Sequence, residues 1–217
     1  MAERWTTSWR VVRPFAKALS RLGFRMRVDG AEHLPTSSAV LAANHYSFLD
    51  PPLVGFASST PIRFLAVHSL WGMHPMFDKL IDVFGAVPLR NEGRPVRALR
   101  LAVEHLRNQG IVGIFPEGQR VNEFGDEAAK RGAAWLAWRT GTPLVPVYIH
   151  GSEWSLSLRH PPFRFIPIAI HVGEPIDPAE HGPDRGALDT MTDEWERRMR
   201  ALRDAAREET GGGAARA

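Results

Sequence analysis

The sequence contains no cysteine, which excludes disulfides, a thiol nucleophile and any acyl-cysteine intermediate. Its apolar runs fall short of the roughly 18 residues that a membrane-spanning helix requires, and its N-terminus lacks the continuous apolar centre of a secretory signal. We therefore expect a chain made in soluble form, in a reducing compartment. Its 217 residues are enough to fold as one domain on a hydrophobic core alone.

Several motifs that identify common enzyme classes are also missing. There is no Gly-x-Ser-x-Gly of a serine hydrolase, no phosphate-binding Gly-x-x-x-x-Gly-Lys and no dinucleotide-binding Gly-x-Gly-x-x-Gly. His-Glu-x-x-His is absent, and the histidines are scattered without the spacing of metal ligands. We therefore expect neither a metal ion nor a bound cofactor.

Acidic residues are missing between Glu3 and Asp29, and seven cations occupy this stretch: Arg4, Arg10, Arg13, Lys17, Arg21, Arg25 and Arg27. Apolar residues recur there at steps of three and four: Trp5, Trp9, Val12, Phe15, Leu19 and Leu22. This pattern predicts an amphipathic helix over residues 1–23 that lies in a membrane interface. A helix packed on the core, with its arginines in solvent, is the alternative. Nucleic acid is a less suitable partner, because the tryptophans belong to the apolar stripe rather than to the cationic face.

Strand and helix patterns alternate along the rest of the chain. Strands are predicted at 24–29, 38–43, 62–67, 111–115, 144–150 (interrupted by Pro146) and 163–172. Helices are predicted at 51–57, over most of 68–84, at 95–109, at 127–140 and near the C-terminus. This order indicates a single α/β domain over residues 24–210, a mixed central sheet with helices on its faces, followed by a flexible tail at 211–217.

One stretch contains an imidazole, the usual general base near neutral pH, and a carboxylate that could orient it. His45 follows a short apolar run, and Asp50 comes five positions later. On a continuous helix the two would point about 140° apart, so they can meet only if the chain turns between them. Pro51 favours such a turn, because it disfavours helical geometry at Asp50 and suits the first position of a helix. The alternative is that Asp50 only caps that helix and His45 only ends a strand.

Two further turns carry arginine. Arg90 follows Gly85, and Arg120 lies beside Glu117 and Gly118 directly after a predicted strand. Guanidinium groups fit phosphate oxygens, and glycine lets backbone amides approach an anion. These turns therefore indicate an anionic substrate next to the base, although structural ion pairs would account for either arginine alone.

The order of these pieces resembles the four-block pattern of the glycerolipid acyltransferases, and more narrowly that of the bacterial 1-acylglycerol-3-phosphate (lysophosphatidic acid) acyltransferases. The blocks are Asn44-His45-x-x-x-x-Asp50, residues 85–90, Phe115-Pro116-Glu117-Gly118-x-Arg120, and Val145-Pro146-Val147. Lys130-Arg131-Gly132-Ala133 is also similar to the family, so the resemblance covers roughly residues 38–151.

The resemblance implies that His45 takes the proton from the acceptor hydroxyl and that Asp50 orients the imidazole. It also implies that Asn44, Arg90, Glu117, Gly118 and Arg120 serve acceptor binding, with Asn44 as a positioning residue. The acyl donor would be acyl-CoA or acyl carrier protein, used as a co-substrate without a covalent enzyme intermediate. The protein would work peripherally at the cytoplasmic face of the cell membrane.

The sequence departs from the family in ways that bear on the acceptor. Pro88-Leu89 precedes Arg90 where many relatives have a bulkier apolar residue and an aspartate, and Gln119 and Val121 replace the common threonine and serine. Another lysolipid acceptor therefore stays open, as does a non-catalytic lipid-binding module on the same scaffold.

Overall fold

The computed structural model describes residues 14–15, 17–67, 87–89, 96–184 and 186–214. Its strands are β1 (Arg27–Asp29), β2 (Ala39–Ala43), β3 (Ile62–Val67), β4 (Val87–Leu89), β5 (Ile111–Ile114), β6 (Leu144–His150) and β7 (Ala169–Val172). Its helices are α1 (Asp50–Ala57), α2 (Val96–Arg107), α3 (Gly132–Thr140) and α4 (Gly186–Ala214). Residues 17–23 are helical as well.

The seven strands in the described part of the chain form one sheet in the order β1-β7-β6-β2-β5-β3-β4. Strand β2 runs parallel to both of its neighbours, β5 and β6, and β3 runs parallel to β4 and β5. Strand β7 runs antiparallel to β6, and β1 runs parallel to β7. The predicted α/β domain with a mixed central sheet is confirmed.

Burial on both sides of the sheet explains why β2 is apolar throughout. Val40 and Ala42 face a core that is completed by α2, α3 and α4. Ala39, Leu41 and Ala43 face a second core, to which α1 contributes Leu53 and Val54. A strand covered on both faces needs apolar residues at every position, which is why it gives a continuous run rather than an alternation.

Helix α3 begins later than the sequence predicts. The pattern favours a helix from residue 127, but the structure has it from Gly132. The preceding backbone makes tertiary hydrogen bonds instead: Lys130 N–H donates to the carbonyl of Pro116 at 2.8 Å, and Ala129 N–H donates to Glu196 at 3.4 Å. These contacts tie Lys130 to the turn after β5 and Ala129 to α4, and they replace a helical turn.

Three strand predictions also differ from the structure. The strand predicted over 24–29 is limited to Arg27–Asp29, because Phe24 and Met26 donate their N–H groups to the Ser20 carbonyl instead. The strand predicted over 163–172 is limited to Ala169–Val172, because the chain before it bonds elsewhere, with Ile168 N–H donating to the Phe24 carbonyl. Pro146 does not interrupt β6, which is continuous. The carbonyl of Pro146 accepts from the N–H of Gly173, which lies just beyond the end of β7. The N–H that proline lacks would point to the same residue, so no hydrogen bond between β6 and β7 is lost.

The ends of the chain bear on two predicted boundaries. Helix α4 runs through Ala214 and thus extends into the stretch 211–217 that we predict as a flexible tail. Most of the predicted amphipathic helix (1–13), the helix at 68–84 and Arg90 lie outside the described residues. None of the helices within the described ranges has the combination of length and apolar character needed to cross a bilayer.

Candidate active site

The turns after β2 and β5 meet at one edge of the sheet. Ala42 of β2 is in register with Ile114 of β5, and the two strands are parallel. Their carboxyl ends therefore deliver the next residues to the same place, which is the usual position of a site in an open α/β sheet. His45 arrives there from β2, and Glu117 arrives from β5.

His45 and Asp50 are in direct contact, as the turn before Pro51 predicts. Nδ1 of His45 lies 2.9 Å from Oδ2 of Asp50. The same carboxylate oxygen accepts the backbone N–H groups of Tyr46 and Ser47, each at 2.7 Å. With Nδ1 bonded to a carboxylate, Nε2 is the ring nitrogen that can receive a proton from a substrate. We call residues 44–50 the catalytic turn, after the role that the sequence predicts for His45.

The alternative in which Asp50 only caps helix α1 is not what the structure shows. Helix α1 has Leu49 at its N-cap position and no side-chain cap bond, and Asp50 is its first residue. The carboxylate turns back toward residues 45–47, because the amides there and the imidazole supply three donors to one oxygen. Its charge also lies at the positive end of the helix dipole.

The turn after β5 holds the backbone of His45 from both sides. His45 N–H donates to Oε2 of Glu117 at 2.7 Å, and the His45 carbonyl accepts from Val121 N–H at 2.8 Å. The imidazole stacks on Phe115, with the ring centres 4.1 Å apart. These three contacts leave the side chain of His45 only 18% exposed and fix its direction.

Glu117 is almost completely buried, at 1% exposure. Burial raises its pKa to about 8, and the nearby carboxylates of Asp50 and Asp126 act in the same direction, while the His45 N–H bond opposes them. A carboxyl group in this environment is protonated near neutral pH. The neutral carboxyl group therefore accepts the hydrogen bond from His45 N–H. Its burial does not fit the predicted contact with the lysolipid substrate.

Asn44 is fully buried and bridges two strands. Its side-chain amide donates to the carbonyl of Ile149 at 3.0 Å and accepts from the Ile149 N–H at 2.7 Å. The side chain thus continues the pairing of β2 with β6 for one more step. This geometry fits the expected positioning role, because both polar atoms of the side chain bond to β6.

Among the predicted acceptor residues that the structure describes, Gly118 and Arg120 remain accessible. Gly118 is exposed and has φ of +74°, and a Cβ placed on it would lie 2.2 Å from Nζ of Lys130. The guanidinium of Arg120 lies 3.7 Å above the centre of the Phe48 ring. Burial lowers the pKa of Arg120, and the charge of Asp50 opposes this shift. The structure therefore places Arg120 and Lys130 around this turn.

The contacts of three residues in the site cannot be predicted from the sequence. Lys130 belongs to a stretch that resembles the family, but only the fold brings its ammonium to Gly118. Ser47 donates to the Ser155 carbonyl at 2.6 Å and so attaches a distant loop to the catalytic turn. Trp195 of α4 donates to the carbonyl of Ala42 at 3.1 Å and holds the end of β2. No local pattern predicts such contacts, since the partners are far apart in sequence.

A second cluster of titratable side chains lies near the β1 edge of the sheet, on β1, β7 and α4. Asp29, His171 and Glu209 bring three potential ligand atoms within 4.8 Å of one another, the one such trio among the residues described. Arg27 forms ion pairs with both carboxylates. The arginine supplies the positive charge that a metal ion would otherwise bring, so the trio has the character of an ion-pair network.

The fold and the site define an α/β protein with a His-Asp pair at the carboxyl ends of its central strands. The family model described as "Acyltransferase" matches residues 25–150, and the chain belongs to this family. The matched region contains both turns of the site and ends with β6.

Particular relatives and a solved structure agree with this membership. A 1-acyl-sn-glycerol-3-phosphate acyltransferase of Borreliella burgdorferi is 31% identical over 135 residues, which cover 60% of this chain and 53% of that protein. The Bacillus subtilis protein of the same name is 27% identical over 190 residues, 86% of this chain and 92% of that protein. The chain thus spans about half the length of the first and most of the second.

The same fold has been solved in Thermotoga maritima. The structure of its 1-acyl-sn-glycerophosphate (LPA) acyltransferase, PlsC, superposes with a TM-score of 0.73 at 25% identity. The match covers 95% of this chain and 84% of that chain. It therefore extends on both sides of the family region, to parts of the chain that the sequence blocks do not reach.

Proposed function

We propose that this protein transfers a fatty acyl chain from acyl-CoA or acyl carrier protein to the free hydroxyl of lysophosphatidic acid, giving phosphatidic acid. The observation that carries this proposal is the geometry of His45: its Nδ1 is bonded to Asp50 and its backbone is held on both sides by the Glu117–Val121 turn. The names of the relatives supply the acceptor and the reaction class.

The proposed reaction proceeds in two stages. Nε2 of His45 takes the proton of the acceptor hydroxyl while its oxygen attacks the thioester carbonyl carbon, forming a tetrahedral intermediate. The C–S bond then breaks, the carbonyl forms again, and the thiolate leaves with the proton from the imidazolium. The Asp50 carboxylate stabilises the imidazolium between these stages. No acyl-enzyme forms, in keeping with the absence of cysteine.

The accessible cations support an anionic acceptor. Arg120 presents a planar guanidinium, and Phe48 beneath it restricts its orientation. Lys130 adds a second charge beside the exposed backbone of Gly118. Together with Arg90, which lies outside the described residues, these groups would bind the phosphate of the acceptor. Glu117 and Asn44 would act by positioning the catalytic turn.

The cellular setting is part of the same proposal. The cationic N-terminal segment, with its regularly spaced apolar residues, would hold the protein peripherally at the cytoplasmic face of the membrane, where the acceptor resides. A different lysolipid acceptor is the second candidate. It is favoured by Val121, which replaces a hydroxyl residue of the family; its side chain is buried, and its backbone N–H donates to the His45 carbonyl.

A panel assay tests the reaction. Purified protein is incubated with acyl-CoA or acyl carrier protein and with lysophosphatidic acid, other lysophospholipids, lyso-ornithine lipid or monoacylglycerol, and products are read by mass spectrometry. We expect phosphatidic acid as the main product and little product from monoacylglycerol, which lacks the phosphate. His45→Ala should lower turnover by at least roughly a hundredfold, since a general base contributes about that much.

The controls separate the alternatives. The His45→Ala protein should keep its circular dichroism spectrum and its binding to vesicles. Lipid binding by the wild type without any acyl transfer would support the non-catalytic module. Preferred use of another lysolipid would retain the mechanism and change the acceptor, whereas near-normal turnover of His45→Ala would remove His45 as the base.

A further inference from the structure

Five large apolar side chains lie exposed on two segments of the chain. Their exposed fractions are 75% for Phe15, 56% for Leu19, 84% for Leu22, 50% for Phe163 and 55% for Phe165. We call these five residues the apolar patch. Scattered exposed apolar residues are normal, but a contiguous group usually marks an interaction surface.

The two segments are in contact where the helical segment ends, at Gly23 and Phe24. The Phe165 ring covers Gly23, because a Cβ placed there would lie 2.5 Å from Cε1 of the ring. The rings of Phe163 and Phe165 are 4.9 Å apart, and both pack against Phe24 at 5.9 and 5.1 Å. The end of the helical segment 17–23 and the loop before β7 therefore form one surface around Phe24.

The helical segment exposes its apolar face to solvent and buries a serine, which is the reverse of the usual arrangement. Phe15, Leu19 and Leu22 are spaced by four and three residues and so share a face, which is exposed. Ser20 is buried at 1% exposure, and its carbonyl accepts the N–H groups of Phe24 and Met26. A helix packed only to complete the core would bury the apolar side chains and expose the serine.

Cations accompany the exposed apolar residues. Arg21 is exposed on the helical segment, Arg25 is exposed just after it, and Arg164 is exposed between the two phenylalanines of the loop. The sequence has no acid between Glu3 and Asp29. Apolar side chains with basic residues interleaved among them suit the interface of an anionic bilayer, where rings enter the acyl boundary and arginines meet headgroups.

The loop of the patch is attached to the catalytic turn. Ser47 donates to the Ser155 carbonyl at 2.6 Å, and Ser155 Oγ accepts from Arg164 N–H at 2.8 Å. Phe48 N–H also donates to the Leu156 carbonyl at 3.3 Å, next to a bridge between Ser47 and Ser157. One serine thus connects the catalytic turn with the residue between Phe163 and Phe165.

We propose that the loop carrying Phe163 and Phe165 is a second membrane contact, which enters an anionic bilayer beside the N-terminal helical segment. Two contacts on one surface would fix the orientation of the domain, and the connection through Ser155 would hold the catalytic turn at a set distance from the interface. The membrane contact itself does not depend on the proposed acyl transfer, whereas its benefit for a lipid acceptor rests on that function.

Binding to vesicles tests the loop directly. The full-length double variant Phe163→Ser/Phe165→Ser is sedimented with phosphatidylglycerol vesicles and with phosphatidylcholine vesicles, without acyl donor. We expect at least about a tenfold loss of binding to the anionic vesicles, because two aromatic side chains no longer leave water. The matched control is Leu101→Ser, a change of a 40% exposed leucine on α2, which should bind as the wild type does.

Further measurements keep the outcomes distinct. The single variant Phe163→Ser leaves Phe165 in place over Gly23, and it should keep the wild-type circular dichroism spectrum and lose part of the binding. Turnover of a soluble short-chain acceptor should be unchanged in both loop variants, while turnover of vesicle-borne acceptor falls. A wild-type protein that binds vesicles but transfers no acyl chain would contradict the proposed function and leave the membrane contact in place.

Three results would overturn the docking proposal. The first is full vesicle binding by the double variant, and the second is equal binding of the wild type to both vesicle types. The third is a wild-type dimer in light scattering without lipid that the double variant abolishes, because a second copy would then be the occupant of the patch. If the wild type and the double variant have the same oligomeric state, and the double variant loses vesicle binding as expected, the patch contacts the bilayer.

Discussion

The catalytic turn and the apolar patch break the usual rule of burial in opposite directions. In the turn, Asn44 and Asp50 are fully buried polar groups, and Glu117 behind it is 1% exposed. In the patch, Phe15 and Leu22 are large apolar groups that remain mostly in solvent. Local departures from stable packing concentrate where function requires them. The comparison predicts that substitutions in the turn cost both stability and turnover, while those at the outward-facing patch residues Phe15 and Leu22 cost neither in the absence of a membrane.

Asp50→Asn should have the largest effect of the substitutions in this comparison. The amide oxygen can still accept from His45, Tyr46 and Ser47, but the negative charge opposite the imidazolium is gone, and the NH2 group takes the buried place of Oδ1. We expect turnover to fall by roughly a hundredfold to ten-thousandfold. The free energy of unfolding should fall by about 1–3 kcal/mol, since a buried donor is left without a partner.

Steady-state kinetics and urea denaturation measure these two effects. A variant that loses stability but keeps its turnover would show that Asp50 serves the fold alone. The matched control is Asp126→Asn, a change of an exposed carboxylate in the loop after β5. It should leave kcat within about twofold of the wild type, because the carboxylate of Asp126 does not contact the imidazole.

The sequence predicts the meeting of His45 and Asp50 because Pro51 acts locally. A proline restricts the residue before it and begins a helix, so a turn at this place follows from backbone sterics. The burial of β2 and the helices on the faces of the sheet follow in the same way from apolar runs alternating with helices. What can be predicted depends on residues that are near in sequence.

The direction of a carboxylate cannot be predicted in this way. Glu117 could equally have faced an acceptor, and only the register of β2 with β5 places it under the His45 amide. Lys130 reaches Gly118 because residues 129–130 bond to other segments rather than continue α3. Phe163 and Phe165 give a strand pattern but pack on Phe24 instead. In each case a partner distant in sequence outweighs the local preference.

Glu117 allows the turn to be tested with two variants of different severity. Glu117→Gln keeps an oxygen that can accept the His45 N–H, and Glu117→Ala removes it. We expect the alanine variant to lose about 1–3 kcal/mol of stability and roughly tenfold or more in kcat, with the glutamine variant nearer the wild type. A direct role in acceptor binding would instead raise KM in both variants with little change in kcat.

The pH dependence of stability gives a second measurement on Glu117. Its pKa is raised from 4.5 to about 8, so between these values the folded protein holds a proton that the unfolded chain has released. The stability of the wild type should therefore lose up to about 1.4 kcal/mol per pH unit from this group as pH rises, until the folded protein also releases it. Glu117→Gln should lack this loss. Parallel stability curves of the two proteins between pH 5 and 8 would contradict a raised pKa.

Leu22→Gln should have the smallest effect and sharpens the comparison from the other side. Leu22 is 84% exposed, and glutamine has a helix propensity similar to that of leucine, so little folded-state contact is lost. We expect the free energy of unfolding to change by less than about 0.5 kcal/mol, and turnover of a soluble acceptor to be unchanged. Urea denaturation without lipid is the measurement. A loss of 2 kcal/mol or more would mean that Leu22 is covered in solution, by another part of the chain or by a second copy, because an exposed leucine cannot contribute that much to folding.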